Sequence, residues 1–465
     1  MWQTQSALAL AILMTHAAFA GAAPLALDKG DRVLVLAPHP DDESLGCGGL
    51  LRDAVRAGIP VHVAFLTNGD ANELSFLVWE RRPVVTSKGA IGMGRLRSEE
   101  ARHAARALGL RDDAVTFLGY PDAGTMPMWT GCWGARPPHE SLITRVTAVP
   151  YEAALRPGAP YKPESVLQDL QTVLRRFRPT RIFVSHPADA HPDHRALYLY
   201  LTAALWETPD LPAPAVHPYL IHHQHWPVPS ADPPATPLDP PTLLGEEIAW
   251  QRRPLDAADQ SAKRAALEAH ATQMAYSREF MLGFVRANEL FGDFAPSALG
   301  QPDAARNLLA GPTSDAPDPR VQTTPQARES FVGIEWRRVE RHGGALTLTA
   351  ELSRRLLPGT RAVFHLFGAR PDRPFAGMPK LRVAIGALGF QVADQDTALP
   401  KTLVTVGRAG RRLTVTVPLT LLGEPRRLLI GADTVVADMF MHPAGWRIVE
   451  LGAWAPAGSQ PATNR

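Results

Sequence analysis

The first two thirds of the chain alternate short runs rich in β-branched residues with amphipathic helical stretches. The runs that predict strands are residues 32–37, 61–67, 115–118, 181–185 and 215–222. The stretches that predict helices are residues 45–57, 94–108, 164–176, 194–206, 261–275 and 279–290. This alternation is typical of a mostly parallel sheet with helices on both faces. The sequence therefore predicts a Rossmann-like α/β fold for this part of the chain.

A second pattern begins after residue 326. Short apolar runs separated by turns predict strands at residues 331–336, 345–352, 362–367, 381–386, 402–406, 413–417, 428–432 and 446–451. This spacing is typical of a β-sandwich. Residues 292–326 are rich in Gly, Pro, Ser and Asp and lack periodicity, which predicts a linker between the domains. A chain of 465 residues is long enough for the two domains, 24–291 and 327–465, that this division gives.

The amino-terminal segment has the pattern of an export signal. An apolar run from Ala7 to Met14 is followed by small residues that include Ala18 and Ala20. An apolar run before an A-x-A site predicts a signal peptide over residues 1–23, and hence a secreted or periplasmic protein. The residues before the run carry no Lys or Arg, where signal peptides usually have a positive charge. Retention of the segment as a membrane anchor therefore stays open as the alternative.

Composition places the remainder of the chain among ordinary globular proteins. The sequence is 45% hydrophobic and 20% charged, which excludes a mostly disordered chain or a multi-span membrane protein. Two cysteines, Cys47 and Cys132, are too few for a disulfide framework. A single bond between them stays open in an exported protein.

Charge differs between the two predicted domains. Residues 326–465 hold 19 Lys and Arg against 11 Asp and Glu, a balance of +8, whereas the rest of the chain is acidic overall. A basic domain favours an anionic polymer or surface as its partner. Glycan binding by this domain and simple packing against the first domain both stay open. Clustered basic motifs are absent from the sequence, so nucleic acid is not an expected partner.

Two long insertions interrupt the α/β pattern at residues 70–93 and 120–163. Loops of this length are usually functional or disordered. The second insertion carries Trp129, Trp133 and Tyr151. Their flat faces suit either stacking on a sugar or packing of the loop onto its own domain.

Histidine and aspartate clusters follow two of the predicted strands. The first strand is followed by PHPDDE, residues 38–43, and the fourth by HPADAHPDH, residues 186–194. In open α/β sheets, ligands bind in the crevice outside the carboxyl ends of the strands. The two clusters are therefore expected to face one crevice.

The residue types in these clusters predict a metal site. Catalytic zinc takes about three nitrogen or oxygen ligands from the protein and keeps one position for water. His39, Asp42 and His194 supply that number. Imidazole and carboxylate ligands without thiolate fit one Zn²⁺ per chain, and they also accept Fe²⁺, Mn²⁺ or Ni²⁺.

Neighbouring residues have the chemistry that an amide hydrolysis requires. Asp41 lies next to Asp42 in the sequence but is expected to point differently, so it is the candidate general base and later the acid for the departing amine. His191 is the candidate that stabilises the oxyanion of the tetrahedral intermediate. His186, Asp189 and Asp193 are expected to orient the loop or the metal ligands rather than to bind metal.

These motifs resemble the PIG-L or LmbE-like family, the zinc de-N-acetylases named for N-acetylglucosaminyl-phosphatidylinositol deacetylase. The similarity covers about residues 30–292. The (A/P)HPDDE signature of the family matches residues 38–43, and its HPDH signature matches residues 191–194. A pattern of R-x-x-E, a small residue and Leu-Gly matches Arg97, Glu100, Ala104, Leu108 and Gly109, and a further similarity covers residues 118–122.

The resemblance implies roles for individual residues of this chain. It implies metal ligation by His39, Asp42 and His194. It also implies a catalytic role for Asp41 and a supporting one for His191.

For other positions the resemblance implies weaker expectations. Arg97 and Asp122 are expected to contact substrate hydroxyls or a phosphate. Lys263, His270 and Gln273 match a later family pattern, for which we expect a structural role on an amphipathic helix.

The sequence thus predicts a zinc-dependent enzyme that hydrolyses the N-acyl group, most simply an acetyl group, of an amino-sugar glycan or glycoconjugate. Two alternatives stay open: an amidase that acts on another acylated small molecule, and a non-catalytic protein of the cell envelope that binds metal or carbohydrate. Asp41 argues against the second alternative, because a binding protein has no use for a base beside its metal. The sequence leaves the oligomeric state unknown.

Overall fold

A computed structural model describes most of both predicted domains. The described residues are 23–81, 84–223, 226–227, 236–241, 244, 248–300, 304–309, 329–436 and 439–452. Residues 1–22 of the predicted signal peptide lie outside the described residues. Within the described residues, no helix is both long enough and apolar enough to cross a membrane.

In the part of the chain that the structure describes, the first sheet contains eight strands and is accompanied by eight helices. The strands are β1 (Ala23–Pro24), β2 (Val33–Ala37), β3 (Val61–Thr67), β4 (Val115–Tyr120), β5 (Arg181–Ser185), β6 (Ala215–Tyr219), β7 (Gln251–Pro254) and β8 (Asn288–Phe291). The helices are α1 (Asp42–Arg56), α2 (Glu73–Ser75), α3 (Ser87–Ala107), α4 (Thr125–Gly131), α5 (Pro163–Phe177), α6 (Pro192–Trp206), α7 (Ala257–Ala269) and α8 (Ala271–Leu282). A π-helical turn, Phe76–Glu80, continues α2, and a 3₁₀ turn, Asp112–Ala114, precedes β4.

The strand order in this sheet is β1-β7-β8-β6-β5-β2-β3-β4. Strands β4, β3, β2, β5 and β6 are parallel neighbours, whereas β8 is antiparallel to both β6 and β7. The predicted mostly parallel α/β fold is confirmed. The chain leaves β2 towards β3 and returns on the other side of β2 as β5, so the sheet has its topological switch point between β2 and β5. Crevices for ligands form at such points, outside the carboxyl ends of the strands.

Strand β2 explains why the sheet is buried on both faces. All five of its residues are buried. Val33, Val35 and Ala37 belong to the hydrophobic core on one face, while Leu34 and Leu36 belong to the core on the other. Successive side chains of a strand point to opposite faces, so a continuous apolar run is what a two-sided core requires.

Two of the helix predictions after the fifth parallel strand need correction. The helix predicted at residues 261–275 is divided at His270, which has φ −82° and ψ 62° between α7 and α8. The helix predicted at residues 279–290 is wrong, because α8 ends at Leu282 and β8 follows at Asn288–Phe291. Pairing of β8 with β6 and β7 at the sheet overrides the helical spacing of its apolar residues.

The remaining strands form two further sheets. They are β9 (Ser297–Ala298), β10 (Ala305–Leu309), β11 (Ile334–His342), β12 (Ala345–Leu352), β13 (Thr360–Ala369), β14 (Lys380–Gly386), β15 (Phe390–Asp394), β16 (Thr397–Leu399), β17 (Thr405–Ala409), β18 (Arg412–Pro418), β19 (Arg427–Val436) and β20 (Met439–Glu450). The five-stranded sheet has the order β10-β11-β12-β18-β17, and the seven-stranded sheet has the order β16-β15-β14-β13-β19-β20-β9. One core of alternating apolar residues from both sheets joins them, so the predicted sandwich is confirmed.

Part of the segment predicted as a linker belongs to these sheets. Strand β9 pairs with β20, and β10 pairs with β11. Within residues 292–326, the stretches 301–303 and 310–326 lie outside the described residues. The second unit of the fold therefore begins earlier in the chain than the composition indicated.

Aromatic side chains connect the α/β domain to the sandwich. Trp129 and Trp133 are fully buried. The Trp129 ring stacks on Phe375 with centroids 5.5 Å apart and meets Trp446 edge to face at 6.5 Å. Stacking of these tryptophans on a sugar is therefore excluded. The expected packing onto their own domain is found only in part, because Trp129 contacts Tyr200 of that domain at 5.0 Å and the sandwich supplies the other rings.

The two cysteines are both free thiols. Cys47 is completely buried on α1 as part of the core, whereas Cys132 lies partly exposed after α4. The disulfide alternative is wrong, and Cys47 has the packing role of a small apolar residue.

Candidate functional site

The two histidine and aspartate clusters meet at the switch point of the sheet. One cluster connects the end of β2 at Ala37 to the start of α1 at Asp42, and the other connects the end of β5 at Ser185 to the start of α6 at Pro192. Because β2 and β5 are adjacent parallel strands, both loops lie at the same edge of the sheet. The crevice that the sequence predicts therefore exists.

Asp42 lies between the two histidines that the sequence predicts as metal ligands. Its Oδ2 atom is 3.1 Å from His39 Nδ1 and 3.1 Å from His194 Nε2. The three residues are 7%, 1% and 0% exposed for His39, Asp42 and His194 respectively. The fold thus brings the predicted ligand set together from positions up to 155 residues apart in the chain.

A second layer of carboxylates holds the outer nitrogens of these histidines. Asp189 Oδ2 is 3.1 Å from His194 Nδ1. Asp122 Oδ1 and Asp193 Oδ2 are 3.2 Å and 3.3 Å from His39 Nε2. Carboxylates on the outer nitrogen fix the tautomer and orientation of metal-binding histidines.

The surroundings of His194 Nε2 indicate whether a cation fits between the predicted ligands. Its Nε2 atom is buried and makes no hydrogen bond with the described residues. Asp189 accepts the proton of Nδ1, which leaves the lone pair of Nε2 facing Asp42 Oδ2 at 3.1 Å. In the neutral ring these two electron pairs face each other, which is favourable only when positive charge lies between them, either a proton on Nε2 or a bound cation. The donor set therefore fits a divalent metal held by His39 Nδ1, Asp42 Oδ2 and His194 Nε2.

The charge balance of the cluster points the same way. Burial alone lowers the pKa of His194, but the carboxylates of Asp189 and Asp42 raise it to about 9. Burial likewise opposes a charged His39, yet Asp122 and its neighbours hold the pKa of that imidazole well above the usual range. The buried carboxylates thus attract positive charge into the crevice, which a bound cation supplies.

Asp41 lies beside the ligands in an unusual backbone conformation. It has φ 130° and ψ −28° immediately before α1. A non-glycine residue at such a φ is strained, and strain of this kind concentrates at functional sites. Burial raises the pKa of Asp41 to about 7, against the opposing effect of the Arg97 guanidinium. Its side chain lines the open cavity of the crevice together with those of Asp42 and His39.

Arg97 supports the loop that carries Asp41. Its guanidinium donates to the carbonyls of Pro40 at 2.8 Å and Gly69 at 2.9 Å, and it lies 3.5 Å from Asp41 Oδ2. Gly69 has φ 68°, and a β-carbon there would lie 2.1 Å from the guanidinium. Arg97 is only 3% exposed, although it borders the cavity. The acceptors of the two hydrogen bonds given above are backbone carbonyl oxygens of the protein.

His191 also borders the cavity, next to these groups. Its ring meets that of His39 edge to face, with centroids 4.7 Å apart. Its Nδ1 atom accepts a hydrogen bond from the backbone N–H of Asp193 and so caps α6. Burial and the neighbouring His39 lower the pKa of His191 to about 3, which makes the ring neutral. A neutral imidazole that accepts at Nδ1 carries its proton on Nε2.

Asp122 lies against the histidine rather than in open solvent. It is 9% exposed and receives a hydrogen bond from the backbone N–H of Ala71 at 2.9 Å. The other carboxylate oxygen contacts His39 Nε2. Asp122 also borders the cavity. It can therefore both hold His39 in place and contact a molecule bound in the cavity.

Sequence reasoning gave Glu43 and His270 little weight. Glu43 Oε1 lies 3.1 Å from His270 Nε2 and accepts from Ser44 Oγ at 2.6 Å, while its Oε2 accepts from the backbone N–H of Asp41 at 3.1 Å. The structural role expected for Lys263 agrees with its ion pair to Glu289 at 2.7 Å. His270 contacts Glu43 and so supports the loop that carries Asp41, the candidate base. In the sequence, only its match to the later family pattern singled out His270.

The crevice opens into a cavity of about 470 Å³. Both clusters line it, and helix α8 and the first insertion complete its wall with Asn72, Gln273, Tyr276 and Phe280. Asn72 Nδ2 donates to Gln273 Oε1 at 3.0 Å, which ties the insertion to α8. A volume of this size suits a small organic ligand.

His222 is a further wall residue that the sequence analysis did not single out. It follows β6, so a third parallel strand delivers a histidine to the same edge of the sheet. The sequence carried a signal for it, because residues 222 and 223 are both histidines at the end of a predicted strand.

The fold and this cluster define an open α/β protein with a candidate metal site of histidine and aspartate at its switch point. Comparison with known families then identifies the domain. Residues 34–205 match the family model PIG-L, described as GlcNAc-PI de-N-acetylase. The chain therefore contains a PIG-L domain, and the resemblance seen in its motifs is confirmed over that segment.

Curated relatives align with the same part of the chain. A 1D-myo-inositol 2-acetamido-2-deoxy-alpha-D-glucopyranoside deacetylase from Mycobacterium sp. (strain KMS) is 31% identical over 193 residues, which are 40% of this chain and 55% of the relative. A probable N-acetyl-alpha-D-glucosaminyl L-malate deacetylase 2 from Bacillus cereus is 24% identical over 41% of this chain and 67% of that protein. The chain spans about half the length of the first of these relatives.

Solved structures are also similar over this region. The N,N'-diacetylchitobiose deacetylase from Pyrococcus horikoshii is 18% identical, with a TM-score of 0.36, over 56% of this chain and 82% of that one. A conserved protein from Thermus thermophilus is 24% identical, with a TM-score of 0.32, over 54% of this chain and 83% of that one.

Proposed function

We propose that the protein is a zinc-dependent N-deacetylase that removes the acetyl group from an amino sugar within a glycan or glycoconjugate. The observation that carries the proposal is the position of Asp42 Oδ2, 3.1 Å from both His39 Nδ1 and His194 Nε2, beside Asp41 in an open cavity. Relatives named as deacetylases of N-acetylglucosaminyl compounds support the choice of reaction.

The type of ligand supports zinc as the metal. Two imidazoles and one carboxylate match the three-ligand sets of catalytic zinc sites. When bound there, the metal would polarise the acyl oxygen and lower the pKa of a coordinated water. Iron, manganese and nickel accept the same ligands, so metal supply during expression decides which ion is found.

The chain's own residues would divide the remaining chemistry between them. Asp41 takes a proton from the attacking water and later delivers one to the departing amine, as a general base and then a general acid. His191 donates from Nε2 to the oxygen that becomes negative in the tetrahedral intermediate, because its Nδ1 is committed to the Asp193 backbone. Arg97 and Glu43 hold the backbone of the Asp41 loop in place.

The cavity supports a substrate the size of an amino sugar. Asn72, Gln273 and Tyr276 border it with amide and hydroxyl groups suited to sugar hydroxyls. Phe280 adds an aromatic face on the same helix as Tyr276. Arg97 and Asp122 also border the cavity, and in this proposal they contact a hydroxyl group of the substrate.

The setting of the enzyme is part of the proposal. Export through the signal peptide at residues 1–23 would place the substrate outside the cytoplasm. The excess of basic residues in 327–465 would favour an anionic glycan or surface as the material on which the enzyme works.

The test is release of free amine by purified protein loaded with zinc. The panel contains N-acetylglucosamine, N,N'-diacetylchitobiose, longer chitin oligomers, an N-acetylglucosaminyl inositol and N-acetylethanolamine as an amide without a sugar. We expect amine and acetate in equal amounts from at least one sugar, with release by Asp41→Asn slower by about 10² to 10⁴. Turnover of N-acetylethanolamine at the rate of the best sugar would point to a general amidase. Zinc-loaded protein that turns over none of the panel would contradict the proposal.

A further inference from the structure

His222 follows β6 and lies beside the candidate metal ligands. Its ring lies 4.8 Å from the His194 ring, measured between centroids, and meets it edge to face. A nitrogen of His222, a nitrogen of His194 and a carboxylate oxygen of Asp42 all lie within 4.8 Å of one another. His222 therefore approaches the pair of atoms that marks the metal position.

One carboxylate oxygen sets both histidines in place. Asp189 Oδ2 is 3.1 Å from His194 Nδ1, and it also accepts from the backbone N–H groups of Ile221 at 3.1 Å and His222 at 3.0 Å. The metal ligand and the strand end that carries His222 are thus fixed to the same atom. Such a shared anchor positions two side chains relative to each other more closely than separate hydrogen bonds do.

The plane of the His222 ring is set by Phe280. The two rings stack with centroids 5.8 Å apart and an interplanar angle of 11°. No hydrogen bond or ion pair joins the ring nitrogens of His222 to any residue in the described part of the chain. An imidazole held by its backbone and by stacking, whose ring nitrogens have no partner among the described residues, is preorganised to bind a ligand.

We propose that His222 is a fourth protein ligand of the metal, alongside His39, Asp42 and His194. The proposal rests on the metal site of the proposed function and adds one residue to it. His191 is the competing candidate, since its nitrogen clusters with those of His39 and His194. Among the described residues, His222 clusters with Asp42 and His194 but not with His39, whereas His191 clusters with His39 and His194 but not with Asp42. We favour His222 because His191 Nδ1 already accepts the Asp193 backbone N–H.

A fourth ligand changes what the site does. With His222 as a fourth protein ligand, the metal would need a further position for the water that the proposed function requires. The additional imidazole also strengthens metal binding. The site would then differ from a three-ligand site in two measurable properties: the number of histidines bound to the metal and the affinity of the protein for zinc.

The test counts histidine ligands on the zinc-loaded full-length protein by X-ray absorption at the zinc edge. We expect three histidines in the wild type, two in His222→Ala and His222→Gln, and three in His191→Ala. Chelator competition should show zinc affinity at least about tenfold weaker in the His222 variants, whereas His103→Ala, which removes an exposed histidine of α3, should match the wild type.

Each contrary outcome has a distinct meaning. Two histidines in the wild type would overturn the proposal while leaving the three-ligand site intact, and this measurement needs no variant to fold. Three histidines that fall to two only in His191→Ala would assign the fourth position to His191 instead. Wild-type protein that binds no zinc would overturn the proposed function together with this proposal.

Discussion

The backbone N–H of Asp41 donates to Glu43 Oε2 at 3.1 Å, and the other oxygen of Glu43 meets His270 Nε2 at 3.1 Å. Asp41 is the residue with φ 130°, so Glu43 and His270 hold a strained backbone at the candidate base. Removal of this support should let the loop relax and move the Asp41 carboxylate away from its working position.

We therefore expect Glu43→Ala to lower kcat about 10- to 100-fold with little change in zinc content, because small misplacements of a catalytic group are costly. Steady-state kinetics and elemental analysis of the same preparation check this. Glu43→Gln keeps an oxygen that accepts the Asp41 N–H and should recover part of the loss. Full activity of Glu43→Ala would mean that the Asp41 conformation does not depend on this contact.

Asp41→Asn separates proton transfer from metal binding. If Asp41 moves protons without binding metal, the variant should keep its zinc and its KM while kcat falls by about 10² to 10⁴. Asp53→Asn, a change of the same kind at a carboxylate of α1 that pairs with Arg56, should leave both quantities unaltered. Loss of zinc from Asp41→Asn would show that the two adjacent aspartates have been assigned the wrong way round.

His191→Ala tests the proposed oxyanion donor. The variant should retain its metal and lose about 10² or more in kcat, since one oxyanion donor is typically worth that much. The cap of α6 at Asp193 loses its acceptor in the same change, so thermal melting must accompany the kinetics. A variant with an unaltered kcat would place the oxyanion donor elsewhere.

Lys380 gives a prediction about pH and stability at the boundary between the domains. Its ammonium lies 4.6 Å from the Trp133 ring and 4.2 Å from the Phe375 ring, and it donates to the carbonyl of Met378 at 2.8 Å. Burial lowers its pKa to about 7, although Asp394 opposes the shift. An unfolded lysine titrates near about 10.4, so between about pH 7 and 10 the unfolded chain binds more protons than the folded one.

The free energy of unfolding should therefore rise with pH between about pH 7 and 10. Lys380 alone accounts for up to about 1.4 kcal/mol per pH unit of this rise. Urea unfolding at about pH 7.5 and about pH 9 measures the slope. Lys380→Met, which keeps the length of the side chain and removes the titration, should flatten it. An identical slope in the variant would show that the ammonium stays charged in the folded protein.

Local patterns were enough to predict the parts of the fold that depend on neighbouring residues. Strands β3 and β5 were predicted with the observed bounds, because their apolar runs end abruptly at polar residues. The candidate metal site was predictable for a related reason, since each half is a short motif directly after such a run. The switch point between β2 and β5 then brings the halves together.

Features that depend on distant partners were missed. The pair of Glu43 and His270 joins residues 227 apart, and no spacing in the sequence connects them. The segment that became β8 has helical spacing, and only its sheet neighbours decide its conformation. For Trp129 and Trp133 the sequence left two alternatives open, because Phe367 and Phe375, which help to cover them, come from the other domain.

The most direct test of the central claim is the metal content of purified protein expressed with zinc and measured by elemental analysis. The account predicts about one zinc per chain in the wild type and in Asp41→Asn, and a loss of zinc in His39→Ala, Asp42→Ala and His194→Ala. Asp41→Asn is the matched control, because it alters the carboxylate adjacent to a proposed ligand. Wild-type protein without a stoichiometric transition metal, or ligand variants that keep the full zinc content, would contradict the account.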